Sequence, residues 1–148
     1  MSASIWLTSL LEKEFGSYCG VDEVGLGSWA GPLFACAVII PHTRWPEIDQ
    51  LGDSKAIGPR KRIFLARRIK EECFYGLGRG EVEEIDSFGL RRAHILAIER
   101  AVNDLREVTD VPAVAIDGDA LDIDLGKTPI RFIRHGDSLI PAISAASI

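Results

Sequence analysis

The run Leu33 to Ile40, LFACAVII, is apolar at every position. A stretch of that length with no polar alternation is what a β-strand covered on both faces requires. Such a strand needs helices above and below it, so the same chain must supply helical segments with apolar stripes. Leu90, Ala93, Ala97, Ala101 and Leu105 follow three- and four-residue spacings through one long helix. Leu7, Leu10, Leu11 and Phe15 do so in a short N-terminal helix that Gly16 ends. Ile63, Ala66, Ile69 and Cys73 mark the inner face of another, with Arg60, Lys61, Arg67, Arg68 and Lys70 on its outer face.

Further strands are expected at Ser17–Val24, Phe74–Gly80, Val111–Ile116 and Pro129–Arg134. Glycine weakens the Phe74–Gly80 strand, and the proline of the next is tolerable only near its start. Gly25-Leu26-Gly27 and Gly31-Pro32 punctuate the first two strands into a hairpin. Phe34, Phe64, Phe88 and Phe132 fall in core patterns. Strands followed by alternating helix and strand give an α/β class, a mixed sheet flanked by helices. The 148 residues suffice for one domain with one core.

Net charge is −5, so there is no overall electrostatic footprint for a polyanion, which a local basic patch or bound cations must meet instead. Three scattered cysteines, Cys19, Cys36 and Cys73, suggest neither a disulfide framework nor a zinc cluster and fit a reducing cytoplasm. No apolar run approaches the roughly 18 residues of a membrane span, and no targeting signal is read at the N-terminus.

Chemistry is expected at strand ends. Asp22-Glu23 precedes Gly25 at the end of the first strand, and Asp117 precedes Gly118 at the end of the fourth. Converging carboxylates repel one another unless a hard cation lies between them, and Mg²⁺ takes oxygen ligands of this kind. That constellation points to metal-assisted phosphoryl chemistry. Asp-Gly is also an ordinary turn, and Asp-Glu at a strand end an ordinary solvated rim. Neighbouring strand residues point to opposite faces, so Asp22 and Glu23 can serve one pocket only if the strand twists or bulges. His42, His94 and His135 have no ligand spacing and read as structural or surface residues.

The segment GVDEVGLGSWAGPLFACAVIIP (Gly20 to Pro41) resembles the opening of bacterial ribonuclease HII, G-[IV]-D-E-[AV]-G-R-G-x-x-A-G-P and an apolar strand. The resemblance continues in order through LGDSKAIGPRKR (Leu51 to Arg62), EEIDSFGLRRAHILAIERAV (Glu83 to Val102), AVAIDGDAL (Ala113 to Leu121) and HGDSLIPAISAASI (His135 to Ile148). Ordered motifs over about residues 17–148 are far more specific than any one of them.

The resemblance implies a ribonuclease H-like fold and an endonuclease that hydrolyses phosphodiesters 5′ to ribonucleotides in RNA/DNA hybrids or duplex DNA. It implies two divalent ions, Mg²⁺ or Mn²⁺, with Asp22, Glu23 and Asp117 as catalytic and metal-binding carboxylates. One ion would acidify and orient a water while the other stabilises the leaving 3′ oxygen. Gly25 and Gly27 would let the backbone approach the sugar, where the 2′-OH distinguishes RNA from DNA. Ser54 and Lys55 would meet phosphate, although Asp53-Ser54 also reads as a helix N-cap. Arg60, Lys61, Arg67 and Arg68 would extend the phosphate track or form a solvated face.

This chain departs from the family pattern at Leu26, which replaces the arginine of G-R-G, and at His135 and Leu139, which replace two lysines. By the same resemblance the fourth carboxylate is expected past the A-A-S-I motif, beyond Ile148. The domain over residues 1–148 would then be short of the family's C-terminal helical part. An alternative follows: an impaired or inactive module that binds nucleic acid, or a protein through apolar surface such as Ile143 and Ile148.

Overall fold

The computed structural model describes residues 3–24, 31–41, 47, 50–51 and 56–148. Helix α1 (Ala3–Phe15) precedes strands β1 (Cys19–Val24) and β2 (Leu33–Ile39). Helix α2 (Pro59–Glu72), strand β3 (Phe74–Gly80) and helices α3 (Val82–Phe88) and α4 (Leu90–Arg106) follow. The chain closes with β4 (Val114–Asp117), β5 (Ile130–Ile133), α5 (Gly136–Leu139) and α6 (Pro141–Ser147). One mixed sheet runs in the order β3-β2-β1-β4-β5. β1 with β2 and β2 with β3 are antiparallel, whereas β1 with β4 and β4 with β5 are parallel.

Period-two alternation divides the sheet residues between two helical layers. Cys19 and Val21 of β1, Ala35 and Ala37 of β2, and Val114 and Ile116 of β4 pack with Ala97, Ile98, Ala101 and Leu105 of α4. Ala113 and Ala115 face the other way, with Leu11 of α1 and Ala142 and Ile143 of α6. Val38 packs with Ile69 of α2 and Ala145 and Ala146 of α6. The doubly covered strand expected at Leu33–Ile40 is therefore β2, with Leu33, Ala35, Ala37, Val38 and Ile39 buried.

The glycines of β3 are not a weakness. A Cβ on Gly78 would lie 1.9 Å from the Ala97 carbonyl oxygen and 2.4 Å from the Ala101 nitrogen, and one on Gly76 would lie 2.3 Å from the Ala101 carbonyl oxygen. Glycine on the strand, facing the alanines of α4, lets the helix backbone rest directly on the sheet. On the opposite face Gly20 does the same for α6, since its Cβ would fall 2.2 Å from the Ala142 carbonyl carbon.

Several expectations shift. Ile63 of α2 is 66% exposed, and the buried stripe is Leu65 and Ile69. The helix touches the sheet along one narrow line, and the i,i+4 pair that lies on it is Leu65/Ile69. Leu10, Phe34, Phe64 and Phe88 are exposed rather than core, and only Phe132 of the four phenylalanines packs against the central cluster. The N-cap of α2 is Gly58, with Pro59 opening the helix; Asp53-Ser54, expected to cap it, lies outside the described residues. Ile143 is fully buried and offers no docking surface. The fourth strand begins at Val114, after Pro112, which donates no ladder hydrogen bond. No helix among the described residues is long and apolar enough to cross a membrane.

Candidate functional site

The parallel register of β1 and β4 sets Val21 beside Ile116, so the next residues, Asp22 and Asp117, leave the sheet together on the α6 side. Immediately after β5 the chain turns at His135, which holds a left-handed φ of 57°, and enters α5. The Gly136 N–H donates to Asp117 Oδ1 at 2.7 Å. This places Asp137, in the first turn of α5, beside the two strand-end aspartates. One carboxylate oxygen from each of Asp22, Asp117 and Asp137 lies within 4.8 Å of the others. The turn packs closely here: a Cβ on Gly136 would meet Ile143 Cδ1 at 2.6 Å, so a larger residue would have to displace that side chain.

Asp137 was not singled out in the sequence. It sits in the HGDS stretch, and like Asp117 it is an aspartate next to glycine near the C-terminal end of a parallel strand. A third aspartate from within the chain, Asp137, thus joins Asp22 and Asp117.

Glu23 behaves differently from expectation. β1 pairs regularly with β2 through Val24, with no bulge to bring neighbouring side chains to one face. Glu23 therefore turns toward α4, where its Oε2 lies 3.3 Å from His94 Nε2. Glu23 still lines the same groove as Asp22, Asp117 and Asp137, and its charge reaches both Asp22 and Asp117. His94, read as structural or surface, is thus a neighbour of the site. No sequence spacing announces it, because only the crossing of α4 over β1 brings it there.

Asp22 is 8% exposed. Burial pushes its carboxyl up to about 7, against the lowering effect of the Glu23 N–H, which donates to its Oδ1 at 2.8 Å; the nearby charges of Glu23, Asp117 and Asp137 raise it further. Asp117 is raised too, first by burial and then by Asp137 and Glu23, while the Gly136 N–H opposes the shift.

Between about pH 4 and pH 7 the folded chain keeps a proton on Asp22 that the unfolded chain releases, so this group's contribution to stability falls as pH rises through that window. Asp22→Asn is expected to stabilise the metal-free protein at pH 8 by roughly 1–2 kcal/mol, discounted for the solvent the carboxyl still meets, and to be near neutral at pH 4. Urea unfolding at the two pH values checks it. A destabilised variant at pH 8 would contradict it.

The groove encloses about 760 Å³ and runs from the aspartates past Cys36, Phe34 and Leu77 to Arg62 and Lys70 of α2. Arg60, Lys61 and Arg67 are exposed on that helix. Arg68 is engaged instead, by Glu47 at 2.6 Å and by Glu71 and Glu72, so it does not extend a phosphate track. Gly25, Gly27, Ser54 and Lys55, together with Leu26, Trp29 and His42, lie outside the described residues. Leu139 is half-buried and His135 exposed. Of the aspartates that follow β4, Asp119 pairs with Arg134 at 2.5 Å, and Asp124 Oδ1 accepts the Gly126 N–H. Cys19, Cys36 and Cys73 are free, and burial pushes all three thiols up, which disfavours the thiolate.

A family model described as Ribonuclease HII matches residues 19–148. A ribonuclease HII of Halorhodospira halophila is 43% identical over 130 residues, covering 87% of this chain and 64% of the relative. One of Jannaschia sp. is 40% identical, covering 93% and 67%. The chain therefore spans a little under two-thirds of the Halorhodospira protein's length. Among solved structures, Bst-RNase HIII in complex with Mn²⁺ superposes with a TM-score of 0.74 at 20% identity, covering 95% of this chain and 53% of that one. Ribonuclease H2 from Pyrococcus horikoshii gives 0.72 at 22%, covering 88% and 68%. These two share the fold, a five-stranded mixed sheet with helices on both faces. With the sequence matches extending from β1 to the end of α6, the chain belongs to the ribonuclease HII family.

Proposed function

We propose that this chain is an endonuclease of the ribonuclease HII type, hydrolysing phosphodiesters 5′ to ribonucleotides in RNA/DNA hybrids or ribonucleotide-containing duplex DNA with two divalent ions, Mg²⁺ or Mn²⁺. The observation that carries this reading is the meeting of Asp22, Asp117 and Asp137 from three separate segments. Three carboxylates crowded together, one of them buried and raised to about 7, form an arrangement that is costly by itself and favourable around a cation. Their all-oxygen donor set suits a hard divalent ion. A divalent ion held there supplies charge to offset the phosphate and acidity to a water molecule.

The chain's own residues perform the positioning. Asp22 and Asp117 are fixed by strand backbone, and Asp117 is oriented by the Gly136 N–H. Asp137 is carried in by α5, and Glu23 adds a fourth negative group at the groove wall. Because Asp22 must lose its proton to bind a cation, ion affinity is expected to rise with pH up to about 7. The exposed Arg60 and Lys61 stand at the start of α2, the helix that walls the groove, where a phosphate backbone would be met.

The direct test incubates the protein with Mg²⁺ or Mn²⁺ and a duplex carrying one ribonucleotide or an RNA stretch. Cleavage 5′ to the ribonucleotide is expected, abolished by chelation and by Asp22→Asn. Absence of cleavage, or cleavage that survives Asp22→Asn, contradicts the reading. A second reading is favoured by His135 and Leu139 standing where the family pattern has lysines: a module that binds hybrid duplex without cutting it. It predicts salt-sensitive binding and no metal-dependent product in the same assay.

A further inference from the structure

Glu23 and His94 form a contact that the three aspartates do not explain. Each side chain is only 13% exposed, and Oε2 and Nε2 stand 3.3 Å apart. Both atoms are sealed from solvent and neither has an aligned hydrogen-bond partner. Buried polar atoms left unpaired carry their full desolvation penalty. A small rotation of the imidazole or of the carboxylate brings N–H and Oε2 into line and satisfies both at once. The two residues come from different layers, Glu23 from the end of β1 and His94 from α4, so their meeting is set by the packing of the helix on the sheet.

We propose that His94 is a positioning residue for Glu23: its Nε2–H holds Oε2 and thereby fixes the rest of the carboxylate on the wall of the groove where Asp22, Asp117 and Asp137 meet. The inference rests on the reading of that groove as a divalent-ion site. A free glutamate would lose several rotamers on engaging an ion, and an anchored one has lost them already. An imidazole suits this task, since a compact, rigid ring presents its N–H at a fixed place. Partners that orient carboxylates near a metal commonly change its affinity by about 10–100-fold when removed.

The test measures Mn²⁺ uptake by the full chain, from the electron paramagnetic resonance signal of the free ion, alongside thermal unfolding of each variant. His94→Phe keeps a ring but no donor, and His94→Leu is a second donor-free variant should the first fold poorly. His94→Gln restores an N–H. The donor-free variants are expected to bind Mn²⁺ roughly tenfold more weakly, and His94→Gln to stay within about threefold of the wild type. In a Glu23→Gln background the donor-free change is expected to add nothing further. Unchanged Mn²⁺ affinity in folded donor-free variants, or an equal loss in both backgrounds, overturns the proposal. A wild-type chain that binds Mn²⁺ but cuts no duplex counts against the nuclease reading alone, and the variant comparison still decides the role of His94. A wild-type chain that takes up no Mn²⁺ overturns both.

Discussion

Asp137→Asn is expected to lower the rate of ribonucleotide-directed cleavage by about a thousandfold or more, equivalent to about 4 kcal/mol of lost transition-state stabilisation, while leaving the protein folded. The change is isosteric, and Asp137 is half-buried on a short helix whose docking depends on the Gly136 N–H and on Ile143 rather than on its own carboxylate. The variant therefore loses a cation ligand without losing packing. It also loses a charge that raises both Asp22 and Asp117, so the metal-free variant is expected to be at least as stable as the wild type at pH 8. Single-turnover cleavage with thermal unfolding in the presence and absence of Mg²⁺ checks both halves. The Mg²⁺-induced rise in melting temperature seen for the wild type is expected to shrink or vanish. Asp119→Asn, which removes an exposed carboxylate paired with Arg134, is expected to leave the rate unchanged. Equal activity of Asp137→Asn and wild type would remove α5 from the site.

Gly78→Val is expected to prevent folding, and Gly78→Ala to cost about 3 kcal/mol or more. The reason is backbone against backbone. A single added carbon would stand 1.9 Å from the Ala97 carbonyl oxygen, and a carbonyl in a helix cannot rotate away as a flexible side chain can. The helix must lift, which opens the cluster in which Ala97, Ala101 and Leu105 of α4 meet Ala35 and Ala37 of β2. Against a typical total of about 5–15 kcal/mol, that loss is a large share. Circular dichroism and urea unfolding report it. A Gly78→Ala protein with wild-type stability would show that α4 is not seated this closely.

The parts of this fold legible in the sequence are those where one period runs unbroken. The apolar run at Leu33–Ile40 gave away the covered strand, Phe74–Gly80 is β3 to the residue, and the three- and four-residue spacings from Leu90 to Leu105 trace α4. What sequence periodicity did not disclose depends on packing between distant segments. The glycines of β3 look like weak points until the alanines of α4 are laid over them. The phenylalanines at 34, 64 and 88 look like core until the packing of the layers leaves all three exposed. Short helices such as α5 and α6 are below the length at which a stripe can be recognised.

The site divides in the same way. Asp22 and Asp117 were legible because strand ends followed by glycine are where such sheets place chemistry. The face of Glu23 depended on whether β1 bulges, which spacing alone does not determine, and the regular pairing of β1 with β2 turned it to α4. Asp137 became visible only once the parallel pairing of β4 with β5 set Asp117 beside Ile133, which brings the following turn into the cluster. The resemblance supplied the order of the motifs, and the parallel pairing of three strands supplied the reason why they converge.

A divalent ion shared by Asp22, Asp117 and Asp137 is open to direct observation. Its most direct measurement is anomalous diffraction from crystals of this protein soaked in Mn²⁺. A manganese peak is expected at coordination distance from one oxygen of each of the three side chains, lost in Asp137→Asn crystals treated identically. Ordered aspartates with no peak between them, or manganese bound only elsewhere on the surface, would contradict it.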